Sequence, residues 1–323
     1  MPTIHQPRAD RRRTTAATAA VPLPGPPLRA PDGTPVSVVH LTAEYFPYAR
    51  TGGLAEAVAG LARFQTAAGV RTMAIMPLHR SARARAGQLE PVGDPYPVDV
   101  GGRVETAQLL RETAGGPGAR LYFIEHPYFD RAGIYGEAGR DYEDNADRYA
   151  FYAMAAVLAL PRVAQGPMVL HAHDWHTALS LVYLRTFFRD VPAYAAIATI
   201  LSAHNAGYQG YFGPDLMPRV GLPWKLFNFH QLEWYDQVNL LKGGLAFADA
   251  AVTVSPEHAN ELRTEAGGFG LHHVFRAMGP RFSGILNGID QREWDPSRDP
   301  LIVERFTADD LSGKAVCKTA VQR

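Results

Sequence analysis

A doubly wound α/β domain, a largely parallel sheet with helices on both faces, is the fold class this sequence predicts. Three observations carry that expectation. Uniformly apolar runs of strand length recur at residues 36–42, 72–78, 121–126, 168–173, 196–202 and 251–255. Strands buried on both faces of a parallel sheet read this way, without the alternation of a half-exposed strand. Helical patterns separate the runs: residues 54 to about 68, and a face made by Tyr149, Tyr152, Ala153, Ala156, Val157 and Leu160. Finally, glycines, histidines and acids follow directly on the apolar runs, where open α/β sheets bind their ligands.

Taken in chain order, residues 1–34 are rich in Arg, Ala, Thr and Pro and lack apolar periodicity. They are expected to form a disordered tail, the alternative being an Arg-rich, acid-poor organelle transit peptide that would direct the chain to a plastid. Residues 35–312 form the expected domain, and residues 313–323 the start of an interdomain linker. The Pro- and Arg-rich stretch after residue 78 predicts an irregular excursion before the strand at 121–126. With 323 residues, the chain is long enough for one large domain or two. Lys and Arg together number 32, as do Asp and Glu, so no net charge draws the chain to nucleic acid or an anionic membrane. Cys317 is the single cysteine, which excludes an intrachain disulfide and a thiolate zinc cage. No run approaches the ~18 apolar residues of a membrane span. A cytoplasmic protein from a reducing compartment is the resulting expectation.

Four motifs carry chemistry. Arg50-Thr51-Gly52-Gly53 opens the helical stretch at Leu54, where backbone N–H groups and the helix dipole favour a phosphate and Arg50 adds a cation. The plainer alternative is a tight turn with a solvated arginine. His171-Ala172-His173-Asp174-Trp175-His176 ends another strand, and alternation places His171 and His173 on one face. Buried core histidines, a polar active-site cluster around Asp174, and a His-based metal site are the three readings of that run. The metal reading, a metallo-hydrolase using His171, His173 and His176, is weakened because Trp175 stands where that motif needs Asp before the last His. His204 and Asn205 follow the next strand and suit hydrogen bonds to ligand hydroxyls. Asn287-Gly288 alone is a turn signal. Lys242-Gly243-Gly244 falls inside a helical pattern from 240 to 250, so Lys242 is read as a helix residue and the glycines as packing points.

Together the segments EYFPYARTGGL (44–54), HAHDWH (171–176), HNAGYQG (204–210), LPWKLFN (222–228), LKGGLAFAD (241–249), VSP (254–256) and GILNGID (284–290), with Trp294, resemble the N-terminal half of bacterial glycogen synthases and plant starch synthases. The resemblance spans roughly residues 38–323. It implies a GT-B fold, two Rossmann-like domains across a cleft. It also implies retaining, metal-free transfer of glucose from ADP-glucose to the non-reducing end of an α-1,4-glucan. The family's KTGGL lysine falls on Arg50, and its following acid on Glu56. A tyrosine after Asp130-Arg131 falls on Tyr135. The aspartate of HAHDW is Asp174, the histidine of the HN pair is His204, and the asparagine of NG is Asn287; in the family these three border the glucosyl group or the donor phosphates. Asp174 and His204 are therefore the expected catalytic residues, with Arg50, Thr51, Gly52, Gly53, Glu56, Tyr135, Asn205 and Asn287 binding substrate. The family's second domain has no counterpart in these residues, so the expected partners include a missing or separately encoded C-terminal domain. A chain inactive alone follows, the alternative being a non-catalytic glucan-binding or interaction half.

Overall fold

A computed structural model describes residues 28–113, 118–291 and 293–323. Its main sheet is built from β1 (Ser37–Leu41), β2 (Arg71–Pro77), β3 (Leu89–Pro91), β4 (Tyr96–Val100), β5 (Arg103–Glu112), β6 (Arg120–Glu125), β7 (Met168–His173), β8 (Ile197–Ala203), β9 (Ala250–Thr253) and β10 (Phe282–Gly284). The strand order is β10-β9-β8-β7-β1-β2-β6-β5-β3, with β4 also on β5. From β10 to β6 all neighbours are parallel. The six apolar runs read from the sequence are β1, β2, β6, β7, β8 and β9. Their order reverses between β1 and β7, which is the topological switch point of a doubly wound sheet. All five β1 residues are buried, as a central strand covered on both faces requires.

The helices that matter for the site are α1 (Leu54–Ala67), α2 (Arg80–Arg85), α3 (Asn145–Val163), α4 (Trp175–Phe187) and α5 (Leu240–Phe247). α1 fills the crossover from β1 to β2, and α4 that from β7 to β8. α3 differs from its one-face expectation: every residue from Asn145 to Val157 is buried, because it packs against α4 and β4 as well as the sheet. Lys242 and the glycines do lie in a helix. The pattern taken to run to residue 250 is broken at Ala248, whose ψ of 141° leaves the helix and lets β9 begin at Ala250.

The excursion expected after residue 78 is ordered instead. α2 is followed by antiparallel strands, with β5 pairing β3, β4 and β6. β4 alternates buried and exposed residues, with Pro97 and Asp99 outward, unlike the fully buried central strand β1. Residues 1–27 of the expected tail lie outside the described residues. The last of that segment closes a turn in which Arg29 bridges Pro35 and Ala30 N–H donates to the Thr34 carbonyl at 2.8 Å. The expected linker start falls on a helix, Ser312–Val321. Among the described residues no helix is long and apolar enough to cross a membrane.

Two helical glycines give opposite expectations for the same substitution. A Cβ on Gly60 in α1 meets nothing within 4 Å, so Gly60→Ala should raise unfolding stability by about 0.4–1 kcal/mol. A Cβ on Gly244 in α5 would lie 2.7 Å from Ala178 Cβ and 3.0 Å from Leu201. Gly244→Ala should therefore lower stability by about 1–3 kcal/mol despite its better helix propensity. Urea titrations of the two variants beside the parent check both signs.

Candidate functional site

The carboxyl ends of β1 and β7 meet at the switch point, and Glu44 is the first buried charge beyond β1. Its Oε1 accepts from Thr51 Oγ1 at 2.7 Å and from the Tyr135 hydroxyl at 2.6 Å. Its Oε2 accepts from Thr51 N–H at 2.5 Å and more weakly from Gly52 N–H at 3.4 Å. The glycine loop thus differs from its expectation in one respect: two of its N–H groups already bind an internal carboxylate. Tyr135 is carried by the loop before α3, where Asn145 Nδ2 donates to its carbonyl at 2.8 Å and buried Arg148 donates to the Ile134 carbonyl at 3.0 Å. Desolvation, with the Glu44 charge adding to it, pushes the Tyr135 hydroxyl well above its usual pKa. The preceding Asp130 and Arg131 pair outward, with Arg80 and Asp144.

Asp174 sits between β7 and α4 with φ of 58°. That left-handed backbone is strained for a side chain bearing Cβ. It turns the carboxylate away from its own helix and toward the end of β8. There Oδ1 accepts from His204 N–H at 2.7 Å and Asn205 N–H at 3.5 Å. Burial raises the Asp174 pKa from 3.8, against the lowering effect of His204 and the two backbone donors. Asn205 is exposed, and its Oδ1 accepts from Gly207 N–H at 3.0 Å within its own loop.

The histidines divide into two groups. His171 and His173 do share a face, their rings stacked at 4.2 Å, and His40 of β1 joins them. The nitrogens of His40, His171 and His173 lie within 4.8 Å of one another. His176 is not in that group; it lies on α4 and stacks on Tyr135 at 4.4 Å. The trio His171, His173 and His176 considered as metal ligands is therefore not assembled, because the last of them has entered a helix. Desolvation holds His171 and His173 far below the ordinary imidazole pKa and His40 at about 4, so all three are neutral at pH 7. His171 Nε2 lies 2.7 Å from Ser202 Oγ.

Arg50 is exposed and ion-pairs with Glu56 on α1 at 2.7 Å. Arg50, Thr51, Gly52, Gly53, Glu56 and Trp294 line an open concavity of about 450 Å³. Trp294 reaches it because the segment after β10 turns back over α1, where Asp290 pairs with Arg63. Asn287 is exposed beyond β9, its N–H donating to the Val254 carbonyl at 3.3 Å. The structure thus brings Glu44, Tyr135, Asp174 and His204 to one place and sets the Arg50 concavity beside it. The sequence reading missed Glu44, His40 and Trp294 as site residues. A lone acid three residues before Pro47, and a histidine inside an apolar strand, gave the only signals for the first two.

The starch synthase catalytic domain family profile matches residues 37–277. A glycogen synthase of Anaeromyxobacter dehalogenans (strain 2CP-C) is 40% identical over 291 residues, covering 89% of this chain and 60% of the relative. Glycogen synthase 1 of Geobacter sulfurreducens is 38% identical over 294 residues, covering 90% and 58%. Among solved structures, the catalytic domain of starch synthase IV from Arabidopsis thaliana bound to ADP and acarbose matches with a TM-score of 0.76 at 30% identity, covering 89% of this chain and 58% of that one. The chain spans about 60% of the length of these curated relatives.

The raised pKa of Asp174 has a sign that stability measurements can read. Between pH 3.8 and the higher folded value the native state binds the extra proton, so this group lowers stability as pH rises through that window. Asp174→Asn keeps the Oδ1 acceptor and removes the buried charge. The variant should melt at or above the parent temperature at pH 7, the difference closing as pH falls to 3.8. Earlier melting at pH 7 would make the carboxylate a structural necessity.

Proposed function

Because the chain belongs to the starch synthase catalytic domain family, we propose that it supplies the acceptor-side half of a retaining glucosyltransferase that moves glucose from ADP-glucose to the 4-hydroxyl of a terminal α-1,4-glucan residue. The observation that carries this reading is the meeting of Asp174, His204 and Tyr135 at the switch point beside the Arg50 concavity. In the reaction the bond from the glucosyl C1 to the diphosphate breaks, its electron pair leaving with ADP. A bond from C1 to the acceptor oxygen forms, and the proton of the acceptor hydroxyl passes to the departing ADP phosphate oxygen.

Arg50 is the cation for the diphosphate. Its ion pair with Glu56 is exposed, and such pairs contribute only ~0–1 kcal/mol, so an incoming phosphate displaces Glu56 at little cost. Gly52 and Gly53 add no side chain to the approach; a Cβ on either meets nothing within 4 Å. Glu44 already occupies the Thr51 and Gly52 N–H groups, which leaves the guanidinium as the principal phosphate contact. Asp174 and His204 orient the glucosyl ring from the ends of β7 and β8. Tyr135, Asn205 and Asn287 add polar contacts along the same edge of the sheet. No metal takes part in this reading. A second Rossmann-like domain, closing over the exposed Ile285, Leu286, Ile289 and Trp294, completes the cleft and excludes water, which strengthens these contacts. A cytoplasmic setting belongs to the same proposal.

Calorimetry on this chain tests the assignment. ADP-glucose and a malto-oligosaccharide should each bind, and Arg50→Ala should weaken ADP-glucose roughly tenfold, about 1.4 kcal/mol. Arg50→Lys should bind nearly as the parent does. Because Arg50 is exposed in the chain alone, ADP-glucose affinity should fall as salt rises. Parent-like binding by Arg50→Ala removes the phosphate role from this loop; failure to bind either ligand refutes the glucosyltransferase reading. Glucan binding without ADP-glucose binding favours a non-catalytic glucan-binding half. With Arg50 and Trp294 open to water, the chain alone should release ADP from ADP-glucose and glycogen no faster than a blank.

A further inference from the structure

Four side chains form an unbroken file from α1 to the end of β8. Gln65 Oε1 lies 2.8 Å from His40 Nε2, His40 Nδ1 lies 3.0 Å from His173 Nε2, and His173 Nδ1 lies 2.9 Å from His204 Nε2. His40 and His173 are wholly buried. A neutral imidazole has one N–H and one lone pair, so each hydrogen bond in such a file fixes the tautomer of the next ring.

The direction is set at the Gln65 end. A carbonyl oxygen only accepts, so His40 carries its hydrogen on Nε2 and presents the Nδ1 lone pair. His173 then donates from Nε2 and presents its own Nδ1 lone pair. His204 in turn donates from Nε2, and its Nδ1 lone pair is left over. Among the described residues nothing hydrogen-bonds to that nitrogen. The His204 backbone N–H is meanwhile held by Asp174 Oδ1 at 2.7 Å, which anchors the residue beside the candidate cleft.

We propose that Gln65, a side chain on α1 remote from the cleft, is a positioning residue that sets the tautomers of His40, His173 and His204, so that His204 meets a ligand with an unprotonated Nδ1 able to accept a hydrogen bond from a sugar hydroxyl. The ligand in this statement rests on the glucosyltransferase reading above; the tautomer pattern does not. Burial makes the file a sensitive one, because reversing a single ring leaves two donors or two lone pairs face to face without water to compensate.

The experiment is long-range proton–nitrogen correlation NMR of the whole chain at pH 7, with 15N-labelled histidine and no substrate added. His40, His173 and His204 should each show hydrogen on Nε2 and a lone pair on Nδ1. Gln65→Glu, which keeps an acceptor, should retain that pattern, whereas Gln65→Leu should lose the single-tautomer signature at His40 and His204. Hydrogen on Nδ1 at the three rings of the parent overturns the proposal, since it means the Gln65 amide presents its NH2 group. An unchanged pattern in folded Gln65→Leu overturns it as well. Zinc added alone supplies the last arm: stoichiometric uptake shifting His40, His171 and His173 together would show that these lone pairs serve a metal. The spectra contain no nucleotide or glucan, so failure of ADP-glucose binding leaves this result standing, and the reverse holds too.

Discussion

One buried carboxylate holds the candidate site together. Glu44 accepts from Thr51, Gly52 and Tyr135, thereby tying the end of β1, the entrance to α1 and the loop before α3 to a common point. A carboxylate buried there is tolerable only because donors surround it; among the described residues no lysine or arginine pairs with it. Hydrogen bonds have direction, so the arrangement fixes the loops in orientation as well as in distance. The Arg50 concavity inherits its shape from this anchor, because Arg50 precedes the residue that Glu44 holds twice.

A second device acts from behind. Arg148 is fully buried, and its guanidinium lies about 5 Å from the rings of Phe129, Tyr142 and Tyr149. It donates to the Ile134 carbonyl and to Asn145 Oδ1. The residue following Ile134 is Tyr135, so a cation packed among aromatics sets the path of the loop that carries the tyrosine. Desolvation lowers the Arg148 pKa, and the charge of Asp144 opposes it.

The legible part of this structure was its central sheet. Six apolar runs became six parallel strands because burial on both faces leaves an unmistakable composition, and the motif residues read after them do lie just past β1, β7 and β8. β3, β4 and β5 were not legible, since an antiparallel strand such as β4 needs only half its side chains apolar and its proline and aspartate resemble loop. The Asp174 environment was only half legible: alternation shows where a strand points, but not that the next residue takes a φ of 58°. Glu44 and Tyr135 stand 91 residues apart, and no local pattern announces such a pairing. His40 lay within an apolar run where it looked like any core position, and Gln65 lay on a helix with no mark to distinguish it from solvent-facing polar residues.

The strand order also governs how the chain comes together during synthesis. β1 precedes the other strands of the main sheet in the chain, yet it ends in the middle of that sheet between β2 and β7. One of its edges is covered soon, when β2 emerges; the other waits for residues 168–173, roughly 100 residues later, or about 5–20 s at ordinary elongation rates. Through that interval an apolar parallel edge, carrying His40 without its histidine partner, is open to wrong pairings. Growth afterwards proceeds outward through β8, β9 and β10, each strand sealing the one before it. The nascent chain thus keeps this edge open until α3 has been followed by β7.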